Sequence, residues 1–246
     1  MSLLKISIVF CQIPMETSTT RLQEAKTFEI AGSFEFSGSK EITERSIPLC
    51  LIYGISNRLE LAMQSVIYTS VSTSDEPTAS GIGDFEVALE YLLFKERKIL
   101  PSIALEGEVK IPTANNPLIG TQRFDYFATL IASKKFGNLD THVNFGYIVV
   151  GQPEDIPLHN VFCFAAAGEF EISEKLELVT EILANNSSFL NETDEDRVLH
   201  PAIIPGEISG LVGARYGFTE KLRMALGVGY NNKKALLIRT GLIYCF

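Results

Sequence analysis

The chain has 246 residues, a formal net charge of −9, 46% hydrophobic residues and no tryptophan. The acidic balance argues against nucleic acid as a partner, because no basic stripe is present to neutralise phosphates. Mean hydropathy is +0.16, yet no run approaches the roughly 18 consecutive apolar residues that form a membrane helix. Apolar residues spread over alternate positions are instead typical of a transmembrane β-barrel.

The predicted elements begin with an N-terminal segment, residues 1–25, ahead of a single barrel domain at 26–246. The opening residues MSLLKISIVFCQ contain one lysine and a short apolar run. They resemble a clipped secretory signal, although no A-x-A cleavage site follows. We interpret residues 1–25 as the remnant of a signal or as a periplasmic lead-in.

Twelve segments then alternate between apolar and polar residues with a period of two, which predicts β-strands. Short polar turns recur at a spacing of roughly forty residues, as expected of a repeated hairpin. Longer polar connections lie between these hairpins, among them SGSKEITERS at 37–46. We place the strands near 26–36, 47–55, 58–69, 83–93, 100–111, 123–133, 139–150, 161–172, 176–185, 206–218, 222–230 and 235–246.

The pattern predicts an all-β fold, an antiparallel up-and-down transmembrane barrel of about 12 strands, with short periplasmic turns and longer extracellular loops. In lipid, the charged face of each strand points inward. A soluble β-sandwich or a lipocalin-like barrel would orient the two faces the other way, and alternation alone leaves both open. Aromatic residues near the strand ends and acids far from the turns favour the membrane barrel.

The polar face supplies the candidate lumen-lining residues. Acids on one wall and arginines from the last strands on the other would set up a field across a pore, or would form ion pairs that stiffen the wall. The candidates are Glu60, Glu86, Glu90, Glu106, Glu108, Lys110, His142, Asn144, Glu169, Glu181, Glu207, Arg215, Arg223 and Arg239.

The chain ends on the alternating residues Leu242, Tyr244 and Phe246. An aromatic at the last position of the last strand resembles the insertion signal of outer-membrane proteins, which the barrel assembly machinery reads. The expected location is therefore the outer membrane of a Gram-negative bacterium. The expected surroundings are outer-membrane lipid and lipopolysaccharide.

Several motifs resemble those of a family of transporters of the meta-pathway of phenol degradation. Gly81, Gly83 and Asp84 match its Gly-x-Gly-Asp strand opening, Ile111–Thr113 match its "lPTG" strand ending, and 133–137 match its Ser-Lys-x-Phe-Gly turn with one inserted lysine. Ala114 stands where the family usually has glycine. The resemblance spans roughly residues 45–246. It implies an outer-membrane channel for small, hydrophobic or aromatic compounds, and it carries over no site residues.

The sequence leaves three functional classes open. The first is passive diffusion of a small solute, and the second is a structural or plugged barrel without transport. The third is a barrel-embedded lipid-modifying enzyme, for which His142 and Asn144 share a face but no serine motif accompanies them. No cofactor and no metal site are indicated by the motifs.

Two further features have competing interpretations. Cys11, Cys50, Cys163 and Cys245 show no CxxC spacing, and we expect unpaired thiols at strand positions. The acidic loop 186–205 is either a solvated surface loop, a cation site bridging lipopolysaccharide, or a constriction folded inward.

Overall fold

The structure is a computed structural model that describes residues 13–74, 78–153 and 156–246. Within these ranges it contains thirteen β-strands and one short α-helix. The strands are β1 Phe28–Gly38, β2 Ile42–Ser56, β3 Leu59–Thr73, β4 Ala79–Gly81, β5 Phe85–Phe94, β6 Ser102–Ile111, β7 Asp125–Phe136, β8 Leu139–Val149, β9 Val161–Ser173, β10 Leu176–Asn185, β11 Glu207–Gly217, β12 Leu222–Asn231 and β13 Leu236–Cys245, and the helix is α1 Asp194–Leu199.

Twelve of the strands close into an antiparallel barrel. Each pairs with its neighbours along the chain, and β1 closes the ring by pairing with β13, with Glu29 opposite Cys245. The short strand β4 pairs with β3 alone and continues the line of β5 beyond Ser65, where the β3–β5 pairing ends. The prediction of an up-and-down barrel of about 12 strands is confirmed, with β4 as an addition.

The outer surface of the barrel is apolar and the inner surface is polar. Large side chains such as Phe34, Leu105 and Val212 are exposed on the outside, 44%, 48% and 64% respectively. Leu242, Tyr244 and Phe246 are exposed as well, and the Tyr244 and Phe246 rings meet edge to face at 4.8 Å. In the described residues no helix is long and apolar enough to cross a membrane. A closed barrel with an apolar exterior is stable in lipid, since each of its twelve strands is paired on both sides.

The connection predicted at 37–46 is wrong, because β1 and β2 continue through it and leave only residues 39–41 as a turn. Glu44 and Ser46 are buried on the inner face, while Arg45 is exposed. The alternation therefore persists here, but with polar residues on both faces. Hydropathy alone cannot distinguish such a strand end from a loop.

The two ends of the barrel differ in their connections. At the turn end, short connections such as 57–58, 137–138 and 174–175 join the strands. The N-terminal end of β1 and the C-terminal end of β13 also lie there. At the loop end lie longer connections, of which 186–206 is the longest.

The expectation of four unpaired thiols is wrong for Cys50, which forms a disulfide. Cys163 and Cys245 carry free thiols, whereas Cys11 lies outside the described residues. Widely spaced cysteines give no sequence signal for pairing when the fold, and not their spacing, brings them together.

Candidate functional site inside the barrel

Residues 13–24, which we call the inner segment, run inside the barrel. Just before β1 the chain is tied to the turn end by a hydrogen bond from the Lys26 amide to the Gly54 carbonyl oxygen, 2.6 Å. The Gln23 amide then donates to Glu60 Oε2 at 2.6 Å. The sequence pattern assigned residues 1–25 to a separate N-terminal segment, whereas residues 13–24 lie within the barrel. The signal-like residues 1–12 lie outside the described residues.

The next contacts of the inner segment are to β7, to β8 and to the connection between β5 and β6. Arg21 makes a bidentate contact with Asp140, both distances 2.8 Å, and donates to Glu96 at 2.9 Å. Desolvation raises the pKa of Glu96, but hydrogen bonds from Lys134 and Arg21 outweigh it and lower the pKa to about 2. The Thr20 amide donates to Ser133 Oγ at 3.0 Å. Charge-assisted bonds of this kind are the strongest available to a polar segment.

Glu181 of β10 holds the middle of the inner segment. Its Oε1 accepts from the Glu16 amide at 2.8 Å, from the Thr17 amide at 2.6 Å and from the Thr17 hydroxyl at 2.5 Å. Glu181 is 2% exposed. A buried carboxylate needs such donors, because desolvating it without them is costly.

The far end of the inner segment lies against β11, β12 and β13. Arg215 Nε donates to the Ile13 carbonyl oxygen at 2.9 Å, and Arg239 forms an ion pair with Glu16. A Cβ added to Gly227 would lie 2.7 Å from Pro14 Cβ, so the segment touches the backbone of the wall. The segment therefore crosses the lumen from β3 to β13.

The fourteen candidate lumen residues lie on the inner face, and all but Glu60 and Arg223 are buried. Glu90 faces Glu60 on β3 and Glu106 on β6 in the strand register, which makes a row of three acids. On the opposite wall, Arg215 pairs with Glu169 at 2.9 Å and with Glu177 at 2.8 Å.

Two other basic residues of the inner face, Arg223 and Lys110, also have acidic partners. Arg223 pairs with Glu29 at 2.8 Å. Near the loop end, Lys110 pairs with Asp125 at 2.5 Å, and Glu207 accepts from Asn231 at 3.0 Å. The basic residues of the interior are therefore engaged by carboxylates, whereas the acid row is flanked by other acids.

His142 has a serine partner that the sequence did not indicate, because Ser133 lies on the neighbouring strand. Ser133 Oγ lies 2.8 Å from His142 Nδ1, and His142 Nε2 lies 3.8 Å from Glu169 Oε1. In serine hydrolases the nucleophile meets Nε2 and the acid meets Nδ1, so this arrangement is reversed. The backbone amide of Thr20, in the inner segment, also donates a hydrogen bond to Ser133 Oγ. The contact ties the segment to the wall.

The loop 186–206 folds into the loop end of the barrel. Phe189, Ile203 and Ile204 pack against the inward-facing Phe127 and Ile148. Across the mouth, Val198 of α1 packs against Ile42 and Val71 on β2 and β3. Of the interpretations left open by the sequence, the structure favours an inward-folded loop. Its apolar residues, spaced among acids and prolines, gave no periodic signal.

Comparisons with known proteins support the fold. No protein-family model and no curated protein sequence matches the chain. Among solved structures, the COG4313 outer membrane channel from Pseudomonas putida F1 is similar with a TM-score of 0.75 and 14% identity, over 93% of this chain and 98% of that one. The NanC porin gives a TM-score of 0.59 at 10% identity, over 87% and 98%. The KdgM porin gives 0.57 at 12% identity, over 88% and 99%. The chain thus has the fold of bacterial outer-membrane channels and porins.

Proposed function

We propose that this barrel is an outer-membrane channel through which small solutes diffuse, and that movement of the inner segment opens it. The observation that carries the proposal is the nature of the contacts between the segment and the wall. The polar contacts are hydrogen bonds and ion pairs to Glu181, Arg215 and Arg239, which water can replace. The segment also has apolar contacts with the wall, made by Ile13, Met15 and Leu22.

The interior favours polar solutes, and cations among them. The acid row Glu60–Glu90–Glu106 faces the arginines of β11–β13 across the lumen. Since each arginine already has an acidic partner, the excess charge along the path is negative. Hydrophobic or aromatic compounds are the second candidate class of solute, and this candidate is supported by the family resemblance of the sequence.

The experiment is single-channel recording of the refolded full chain in a planar bilayer with a salt gradient. We expect discrete current steps with a reversal potential that favours cations. Arg239→Glu should increase this preference, because it removes a lumen cation and adds an anion. Uptake into liposomes by swelling, with a sugar, an amine and phenol as solutes, separates the two solute classes.

The control for the charge change is Arg58→Glu, since Arg58 is exposed in the turn between β2 and β3. It should leave the reversal potential unchanged. Bilayers that stay silent with a barrel shown to be folded by heat-modifiable gel mobility would contradict the proposal. They would leave the structural or plugged barrel as the function.

A further inference from the structure

A small cavity lies at the loop end of the barrel, and its lining contains no residue of the inner segment. Glu44 and Ser46 of β2 and Thr69 of β3 form one side of it. Ile119, from the connection between β6 and β7, and Ala202, from the loop 186–206, also line it. The cavity has a volume of about 50 Å³. It is therefore bounded by the strands of the wall and by two of the loops.

Three residues that line this cavity each carry a buried polar atom without a hydrogen-bond partner among the described residues. These atoms are Glu44 Oε2, Ser46 Oγ and Thr69 Oγ1, on residues that are 6%, 1% and 3% exposed. Ser46 and Thr69 are directly opposite each other in the strand register, and Glu44 lies two residues along the same face of β2. Buried polar groups in proteins nearly always have partners, so three neighbouring exceptions indicate a binding site.

The charge around these atoms is negative. Lys110, which also lines the cavity, is held by Asp84 at 3.6 Å and Asp125 at 2.5 Å, and it donates to Thr121 at 3.0 Å. Its charge is thus compensated by two carboxylates. Within the described part of the chain, Glu44 has no basic side chain in ion-pair contact. A ligand for this site should carry a positive charge and several donors.

We propose that the cavity binds protonated primary amines. An ammonium group has three N–H donors and no acceptor, which matches one carboxylate and two hydroxyl oxygens on adjacent strands. A cavity needs about 10–15 Å³ of such volume to hold one water molecule, so this cavity accommodates the ammonium group with one or two carbon atoms. The site goes beyond conduction, because it concerns recognition at the loop end of the barrel.

The test is binding of methylammonium to the full chain refolded in detergent, by calorimetry and saturation-transfer NMR. Glu44→Gln should lower the affinity about tenfold or more, because a hydrogen bond to a charged group is replaced by a neutral one. Ser46→Ala should lower it about threefold to tenfold. Glu41→Gln is the matched control. It removes the same charge from an exposed position in the turn before β2, and the affinity should not change.

A second ligand tests the role of the donors. Tetramethylammonium has the same charge but no N–H group, and it should not bind. The proposal is overturned if methylammonium shows no saturable binding, if Glu44→Gln binds as the unmodified chain does, or if tetramethylammonium binds equally well. Ser46→Ala carries the test if Glu44→Gln does not fold. Binding in detergent needs no open pore, so its outcome is independent of whether the barrel conducts.

Discussion

The inner segment and the loop 186–206 both lie inside the barrel, but different forces hold them there. The inner segment is held by hydrogen bonds and ion pairs to charged groups such as Glu181, Arg239 and Asp140. It also has apolar contacts with the wall, made by Ile13 and Met15 near its far end and by Leu22. The loop is held by apolar packing of Phe189, Ile203 and Ile204 and their neighbours in the wall. The polar contacts of the inner segment can be exchanged for water, whereas the apolar contacts, which predominate in the loop, exclude water.

This difference assigns different physical consequences to the two regions. Hydrogen bonds contribute modest net stability because water competes for the same groups, so the polar anchors of the inner segment can be released at small cost once they are hydrated. The apolar contacts of Ile13 and Met15 add to the cost of moving the segment. Apolar burial is lost in full when the loop swings out. We therefore expect changes in the inner segment to alter conduction, and changes in the loop to alter stability.

The largest expected effect comes from removing the inner segment. Deletion of residues 1–24 should raise the single-channel conductance more than any point substitution, because it clears the lumen from β3 to β13. The measurement is planar-bilayer recording beside the full chain, with folding checked by heat-modifiable mobility. A folded deletion variant whose conductance equals that of the full chain would remove the segment from the path.

The second prediction concerns the loop. Phe189→Ala should lower the free energy of unfolding by about 3–5 kcal/mol, the usual cost of truncating a buried phenylalanine, and should change conductance little. The measurement is urea unfolding of the protein in lipid vesicles. Leu190→Ala is the control, since Leu190 is 51% exposed whereas Phe189 is 7% exposed, and it should change stability by well under 1 kcal/mol.

The third prediction weakens one anchor of the inner segment. Glu181→Gln turns charge-assisted hydrogen bonds from Thr17 into neutral ones, a difference of about 1.4 kcal/mol. The ratio of open to closed time in bilayer recordings should rise about tenfold. Glu220→Gln, in an exposed turn, should have no effect. An unchanged ratio for Glu181→Gln would indicate that Thr17 does not leave the wall when the channel opens.

The smallest expected effect is a pH dependence at the turn end. Hydrogen bonds lower the pKa of Glu96 from 4.5 to about 2, so its hold on Arg21 is complete above 4.5 and is lost as the pH falls towards 2. The open fraction should be constant above pH 4.5 and should rise slightly below it, since solvent screens this partly exposed group. Glu96→Gln should lack this component. A rise of equal size in that variant would assign the pH dependence to other carboxyl groups.

Much of the barrel could be predicted from the sequence because each strand repeats one rule, apolar outside and polar inside. The bounds of β10 at Leu176–Asn185 agree with the predicted 176–185. The rule fails where both faces are polar, as at Glu44 and Arg45, and for a three-residue strand such as β4. A period of two residues cannot be recognised in an element of only three residues.

The contents of the barrel could not be predicted in the same way. The residues ETSTTR at 16–21 fall in the predicted N-terminal segment, because nothing in their own pattern shows that Glu181 and Asp140 surround them. These contacts join residues more than a hundred positions apart, and they exist only after the barrel has closed. The burial of Phe189 likewise depends on the wall that it meets, and not on its neighbours in the sequence.

The measurement that tests the account most directly is a reversible lock on the inner segment. The Thr20 and Ser102 hydroxyls are in hydrogen-bond contact, so Thr20→Cys with Ser102→Cys should form a disulfide in a chain that also carries Cys163→Ser and Cys245→Ser. We predict that the oxidised barrel rarely opens in a bilayer and that a reductant restores the openings. The parent with only the two serine changes, treated with the same reductant, controls for the disulfide of Cys50. Equal currents before and after reduction of the locked protein would contradict an inner segment that controls the channel.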